Sequence, residues 1–175
     1  DLYSDTHENG FATVNRRDGP ELVRAALEQV SSAQAPFYLQ LVLIEAHTPR
    51  KPTALEVETF RQPGEPAILA EYDALLRRLD VAVASLFQGL DERRLLQDTI
   101  FVFVTDHGEG LNVPEHHRGG HGKRTYPTTA EVAWILRGPG VAKGHVIGGL
   151  ASQVDLVPTL TGLLGLPPVE GPGHD

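Results

Sequence analysis

Two short, nearly uninterrupted apolar runs, Phe37–Ile44 and Ile100–Val104, constrain this chain more than any other feature. Each is short for a helix, the first bounded by prolines and the second entered through Asp98-Thr99, the pattern of a strand covered on both faces. Each also follows a stretch with apolar residues at helical spacing. Before the first run, Leu22, Ala25, Ala26, Leu27 and Val30 share a helical face, with Asp18 or Gly19 as the cap and Pro20 in the first turn. That helix is expected to stop within residues 31–36. Before the second run, Ile68, Tyr72, Leu75, Leu76, Leu79, Val83, Leu86 and Leu90 form the stripe of a helix over about residues 67–90, with Gly89 near its end. Ala130–Leu136 reads as a third strand ended by Gly138-Pro139-Gly140. Val154–Leu164 reads as a helix with Pro158 in its first turns and Gly165 at the C-cap. Residues 1–19, with turn signals at Asn9-Gly10 and Asp18-Gly19, and residues 53–66, broken at Pro63-Gly64-Glu65-Pro66, read as loop before and between the helices. Helices alternating with buried strands predict an α/β fold with a mainly parallel sheet, as a single domain over residues 1–175. In such sheets ligands bind beyond the carboxyl ends of the strands, so the loops after Ile44 and Val104 matter most.

Composition narrows the function classes. With 15 Lys+Arg against 23 Asp+Glu the net charge is −8, which argues against a nucleic-acid binder that works by neutralising phosphates. No Cys is present, which excludes disulfides, thiolate metal ligands and a cysteine nucleophile within these residues. The apolar runs are too short to cross a bilayer. No Met occurs and the chain starts at Asp1, so a processed product or a piece of a longer protein is expected.

The sharpest segment follows the second run: Thr105-Asp106-His107-Gly108-Glu109-Gly110. A carboxylate and an imidazole sit side by side at the mouth of the sheet, and Gly108 allows a sharp turn that aims both at one point. Oxygen plus nitrogen ligation suits Zn²⁺ or Mn²⁺, and Asp106 alone suits Ca²⁺. The same residues also fit an Asp that caps the next turn beside a solvated His. The loop continues through Glu115-His116-His117-Arg118-Gly119-Gly120-His121-Gly122-Lys123-Arg124, a cationic, glycine-rich stretch in an acidic chain. Such a cluster suits a phosphate or sulfate ester, or is a solvated loop without a ligand. His116 and His117 are expected as exposed spectators. In the earlier loop His47 lies near Pro49 and Pro52, which stiffen the backbone, and is a candidate proton or hydrogen-bond donor. Glu45 is a weaker candidate, expected to solvate the strand end. His7, His145 and His174 stand in unpatterned contexts and are read as surface residues. No Gly-x-Ser-x-Gly elbow and no dinucleotide-binding glycine pattern occur.

In order along the chain, these segments resemble the sulfatases of the alkaline phosphatase superfamily. His47-Thr48-Pro49-Arg50-Lys51-Pro52 is similar to that family's His-x-Pro-Tyr-x-Pro loop, with Arg50 where Tyr is usual. The stripe from Tyr72 to Leu90 is similar to the helix before the metal strand. Asp98-Thr99-Ile100 and Thr105-Asp106-His107-Gly108-Glu109 resemble the strand and metal motif that follow it. Gly122-Lys123-Arg124-Thr125-Tyr126, Arg137-Gly138-Pro139-Gly140 and Val154-Asp155-Leu156-Val157-Pro158-Thr159-Leu160 continue the likeness, which covers about residues 20–170. The resemblance implies a three-layer αβα sandwich, incomplete in this chain, and metal-dependent hydrolysis of sulfate esters. It makes Asp106 and His107 metal ligands, Lys123 a catalytic and substrate-binding cation, His47 a catalytic or substrate-contacting residue and His121 a further substrate contact. Ca²⁺ is the ion it implies.

The family's nucleophile motif, Cys-x-Pro-x-Arg or Ser-x-Pro-x-Arg, does not occur in these residues, and its paired N-terminal aspartates are not identifiable. The chain is therefore expected to correspond to the C-terminal portion of the catalytic domain, with the N-terminal part as its missing partner, and to be inactive and marginally folded alone. A second reading is phosphoryl transfer on the same fold, by a phosphodiesterase or phosphoethanolamine transferase using Zn²⁺ or Mn²⁺. Asp106-His107 followed by Gly120-His121-Gly122 favours it. A third is a non-catalytic anion-binding piece. On the first two readings the partner is a small anionic ester; no nucleic acid and no membrane span are expected.

Overall fold

The computed structural model describes residues 7–8, 11–12, 18–33, 36–47, 51–114 and 119–175. Asn9-Gly10, Thr48-Pro49-Arg50 and Glu115-His116-His117-Arg118 lie outside the described residues. The chain divides into two compact units, Asp1–Leu96 with His107–Glu131, and Gln97–Asp106 with Val132–Asp175.

Among the described residues of the first unit, the one ladder is a short antiparallel pair, β1 (His7–Glu8) with β2 (Phe11–Ala12), and the rest of the regular structure is helical. Helix α1 (Gly19–Ser32) starts where expected: the Asp18 side chain accepts from the Glu21 N–H at 3.0 Å, and Pro20 occupies the first turn. Its buried Leu22, Val23, Ala25, Ala26 and Val30 face α3 (Ala67–Glu92), whose Ala70, Ala74, Leu75, Ala82, Leu86 and Leu90 are buried in turn. Small residues on both faces let the two helices approach closely.

Residues 53–66, expected as loop, contain a helix, α2 (Ala54–Phe60), which packs on α3. Its start is a reciprocal cap: the Thr53 N–H donates to Glu56 Oε2 at 2.7 Å and the Glu56 N–H to Thr53 Oγ1 at 3.3 Å. Only Val57 of α2 is buried, so the segment carries almost no periodic signal. Glu56 is also gripped by Arg78 of α3 through Nε to Oε1 at 2.7 Å and Nη2 to Oε2 at 2.6 Å. The guanidinium first, then the Thr53 bonds, lower the Glu56 carboxyl from 4.5 to about 2. A depressed carboxylate adds stability above its unfolded value and loses it as pH falls toward the folded one, here from 4.5 toward 2. With both side chains about a third exposed, Glu56→Gln should cost about 1 kcal/mol at pH 7. The gap to wild type in urea unfolding should roughly halve by pH 3. An equal gap at both pH values would contradict the pairing.

Residues 37–44 enter no ladder among the described residues, contrary to the buried strand expected there. Their exposure alternates instead. Tyr38 and Val42 are 63% and 68% exposed, while Phe37, Leu39, Leu41 and Leu43 are half-buried. This is the period of a strand covered on one face. A continuous apolar run selects extended backbone, but a ladder also needs a neighbouring strand. The following Glu45 does not solvate a strand end. It is buried at 2% exposure and its side chain accepts the Gly19 N–H at 2.6 Å, satisfying a donor in the first turn of α1.

In the second unit, β3 (Phe101–Val104) pairs antiparallel with β4 (Trp134–Arg137) in the register Phe101↔Arg137 to Val104↔Trp134. The parallel arrangement expected from the sequence is therefore not the one in the described ladders, both of which are antiparallel. The reason is topological. A parallel return needs a crossover of a dozen or more residues, usually a helix, that carries the chain to the opposite strand end. Among the described residues the α-helix between the strands is the single turn α4 (Pro127–Ala130), and the chain re-enters where it left, with the Thr105 N–H donating to Ala133 O at 3.2 Å. The third strand accordingly starts later than expected, after α4. A 3₁₀ turn, Gln153–Asp155, leads into α5 (Leu156–Leu163), and Gly165 follows it with φ +64°, as a C-terminal cap requires. No residue of α5 is buried, and Val146, Ile147 and Leu150 are exposed. Among the described residues no helix is long and apolar enough to cross a membrane.

Candidate functional site

The segment after β3 begins with Asp106, the last residue of its stretch of the second unit, which is exposed. The first unit resumes at His107. Here Gly108 lies directly on the turn of α4: its N–H donates to Thr129 O at 3.1 Å, and a methyl group in place of its hydrogen would overlap the Thr128 carbonyl oxygen. Only a residue without Cβ can come this close.

That contact sets the two side chains flanking Gly108. His107 is half-buried, with Nδ1 2.8 Å from Gly108 O. A carbonyl has no proton to give, so Nδ1 is the donor in this contact, and in the neutral ring Nε2 then carries the lone pair, the form in which imidazole binds a metal. Glu109 accepts the Gly110 N–H at 3.0 Å through Oε1 and meets His121 Nδ1 at 3.2 Å through Oε2. The His121 ring stacks on that of His107, with centroids 3.7 Å apart and planes tilted by 31°. His121 reaches this place because Gly120 and Gly122 on either side have φ of +85° and +80°, and because the Gly120 N–H donates to Gly110 O at 2.8 Å. The glycines read from the sequence as permitting close approach to a ligand thus shape the loop that brings the two histidines together.

Lys123 follows immediately, is exposed and has no ion-pair partner among the described residues. Arg124 reaches the Tyr126 hydroxyl at 3.4 Å. His47 stands exposed on the turn after residue 44, its N–H donating to Ile44 O at 3.1 Å; it is not a member of the His107–Glu109–His121 cluster. Glu109 is the member that residue-type reasoning did not single out, although it closes the Asp-His-Gly-Glu run. Tyr72 of α3 borders the same charges: burial pushes its phenol up, and the negative Glu109 and Asp73 add to the shift.

Asp106 with His107 offers one oxygen and one nitrogen donor, and the His107 tautomer suits ligation. Among the described residues, however, no group of three or more His, Asp or Glu side chains is arranged to hold a metal ion. Ca²⁺ takes 6–8 oxygen ligands and Zn²⁺ four donors, so these two residues are at most part of a shell.

A sequence model of the Sulfatase family matches residues 3–166. Arylsulfatase K of Homo sapiens is 31% identical over 100 residues, which cover 57% of this chain and 18% of that relative. The low-salt glycan biosynthesis sulfotransferase Agl7 of Haloferax volcanii is 29% identical over 144 residues, 79% of this chain and 36% of that protein. Among solved structures, Ps i-CgsB in complex with k-i-k-neocarrahexaose superposes with a TM-score of 0.69 at 23% identity, covering 87% of this chain and 35% of that one. This last likeness supports the α/β fold of the alkaline phosphatase type. The chain spans less than a fifth of the arylsulfatase it matches. Since the family match runs over nearly all of the described residues, from β1 through α5 and across Asp106-His107 and Lys123, the chain belongs to the sulfatase family.

Proposed function

We propose that this chain forms part of the site of a metal-dependent hydrolase of sulfate esters. The observation that carries the reading is the sulfatase match across Asp106-His107 and the glycine-hinged loop that presents Lys123. In this reading the chain forms part of a three-layer αβα domain. Asp106, through its carboxylate, and His107, through Nε2, hold a divalent ion together with donors from outside the described residues. When bound, that ion offsets the negative charge that builds on the ester and its attacking group. Ca²⁺ fits best if the remaining donors are carboxylates.

The other roles follow from exposure and hydrogen-bonding capacity. Lys123 carries a full positive charge on a flexible stem and has no competing carboxylate among the described residues, so its ammonium neutralises charge on the nonbridging sulfate oxygens. His121, braced by Glu109, presents its second nitrogen as a hydrogen-bonding group to the substrate. The resemblance adds His47, which stands apart from that cluster on its exposed turn, as a substrate contact or proton donor.

Phosphoryl transfer on the same fold is the second reading, and the stacking of His121 on His107 favours it. A second imidazole beside the first shifts the donor set toward nitrogen and so toward Zn²⁺ or Mn²⁺.

Asp106→Ala in the metal-loaded protein should remove most of the bound ion, read by elemental analysis. Unchanged stoichiometry would refute the ligand assignment. In the enzyme to which these residues belong, rates on an aryl sulfate and a bis-aryl phosphate with Ca²⁺, Zn²⁺ or Mn²⁺ separate the two reactions: turnover of the sulfate with Ca²⁺ supports the first, and of the phosphate with Zn²⁺ or Mn²⁺ the second.

A further inference from the structure

The Gln153 carboxamide makes a pair of bonds that its surroundings do not require. Its Nε2 donates to Thr105 O at 2.6 Å and to Asp106 O at 2.9 Å, across 48 and 47 residues of chain. In an extended strand consecutive carbonyls point to opposite sides. Two consecutive oxygens can converge on one nitrogen only if the backbone bends between them, and here the bend falls at Asp106, two residues after Val104 ends the ladder. The other edge of the same segment is tied as well. The Thr105 N–H donates to Ala133 O at 3.2 Å, and the Ala133 N–H to Thr105 Oγ1 at 3.1 Å. With both edges held, the Cα–Cβ direction of Asp106 is set by contacts on either side of the chain.

Gln153 is itself held in place. It opens the 3₁₀ turn before α5, whose Ser152 N–H donates to Asp155 Oδ2 at 2.8 Å. The other carboxylate oxygen of Asp155 accepts the His174 N–H at 2.9 Å, so one carboxylate fastens the turn to the end of the chain. Those two N–H bonds, the His174 one foremost, also hold the Asp155 carboxyl below its usual range.

We propose that Gln153 is a positioning residue for Asp106: its two bonds fix the bend after β3 and so aim the Asp106 carboxylate for metal binding. This rests on the reading of Asp106 as a ligand. Asp106 acts on the ion, and Gln153 acts only through Asp106.

The test uses the full 175-residue chain. Gln153→Leu removes both donors at similar size, and Gln153→Glu removes them in an isosteric side chain. Three-bond couplings report the Asp106 χ1 rotamer, amide hydrogen exchange reports the bend, and Mn²⁺ alone is the metal probe. In wild type, Asp106 should hold one rotamer, and Mn²⁺ should broaden the signals of residues 105–108. In both variants the couplings should average, exchange at residues 106–108 should rise about 10-fold or more, and the Mn²⁺ concentration needed for equal broadening should rise by a similar factor. The β3 amides should stay as protected as in wild type, which a general loss of stability would not allow. Unchanged couplings in both variants, or loosened couplings with undiminished Mn²⁺ broadening, would overturn the proposal. Asp106→Asn separates the underlying reading. If it leaves Mn²⁺ broadening intact, Asp106 is not a ligand and the proposal falls with that reading; if it abolishes broadening while the Gln153 variants do not, only the positioning role fails.

Discussion

Gly108→Ala is expected to destabilise the protein by about 3 kcal/mol, the upper range for forcing atoms into filled space. The added methyl group would overlap the Thr128 carbonyl oxygen and press on the Thr129 Cα at 3.3 Å. Both are backbone atoms, so no side-chain rotation relieves the contact. The segment must instead lift off α4, which breaks the Gly108 N–H bond to Thr129 O, worth about 1 kcal/mol of that total. Lifting it also displaces His107 and Glu109 on either side, so the stacking of His107 on His121 should be lost together with stability. Urea unfolding followed by circular dichroism checks the first effect, and His ring chemical shifts check the second. A change below about 0.5 kcal/mol, the range of neutral surface substitutions, would show that the loop does not rest on α4 in solution.

Lys123→Ala should lower turnover of an aryl sulfate by about 10²-fold or more in the enzyme to which these residues belong, the scale seen when a preorganised charge-stabilising donor is lost. Because Lys123 is exposed, its removal should leave the melting temperature within about a degree of wild type. The two measurements together separate chemistry from folding. Activity within a factor of two would refute the role. A fall in rate accompanied by unfolding would point to a structural one.

Much of the secondary structure was legible because its signals are local. Asp18 and Pro20 announce the start of α1, an uninterrupted apolar stripe carries α3, the β-branched and aromatic run at Phe101–Val104 becomes β3, and Gly165 ends the region of α5 with positive φ. The start of α2 was also present, in Thr53 and Glu56. A helix that buries only Val57 shows no periodicity to draw attention to its cap. Glu45 illustrates the opposite limit. Nothing in the sequence near it says that a helix N-terminus, 26 residues earlier in the chain, will bury it and supply a donor.

The sequence by itself determined that a carboxylate and an imidazole stand together where a strand ends, and that glycines and cations follow them. Those are properties of adjacency, and adjacency survives in any fold. The tertiary structure alone decided that residues 37–44 stay outside the described ladders and that β4 returns antiparallel, because strand pairing depends on which neighbour arrives and from which end. It alone decided that His121 closes on His107 and Glu109, and that Gln153 bonds the carbonyls of Thr105 and Asp106. Such contacts join residues whose separation along the chain has no period, so no local pattern encodes them; they form only when packing elsewhere has brought the two segments together.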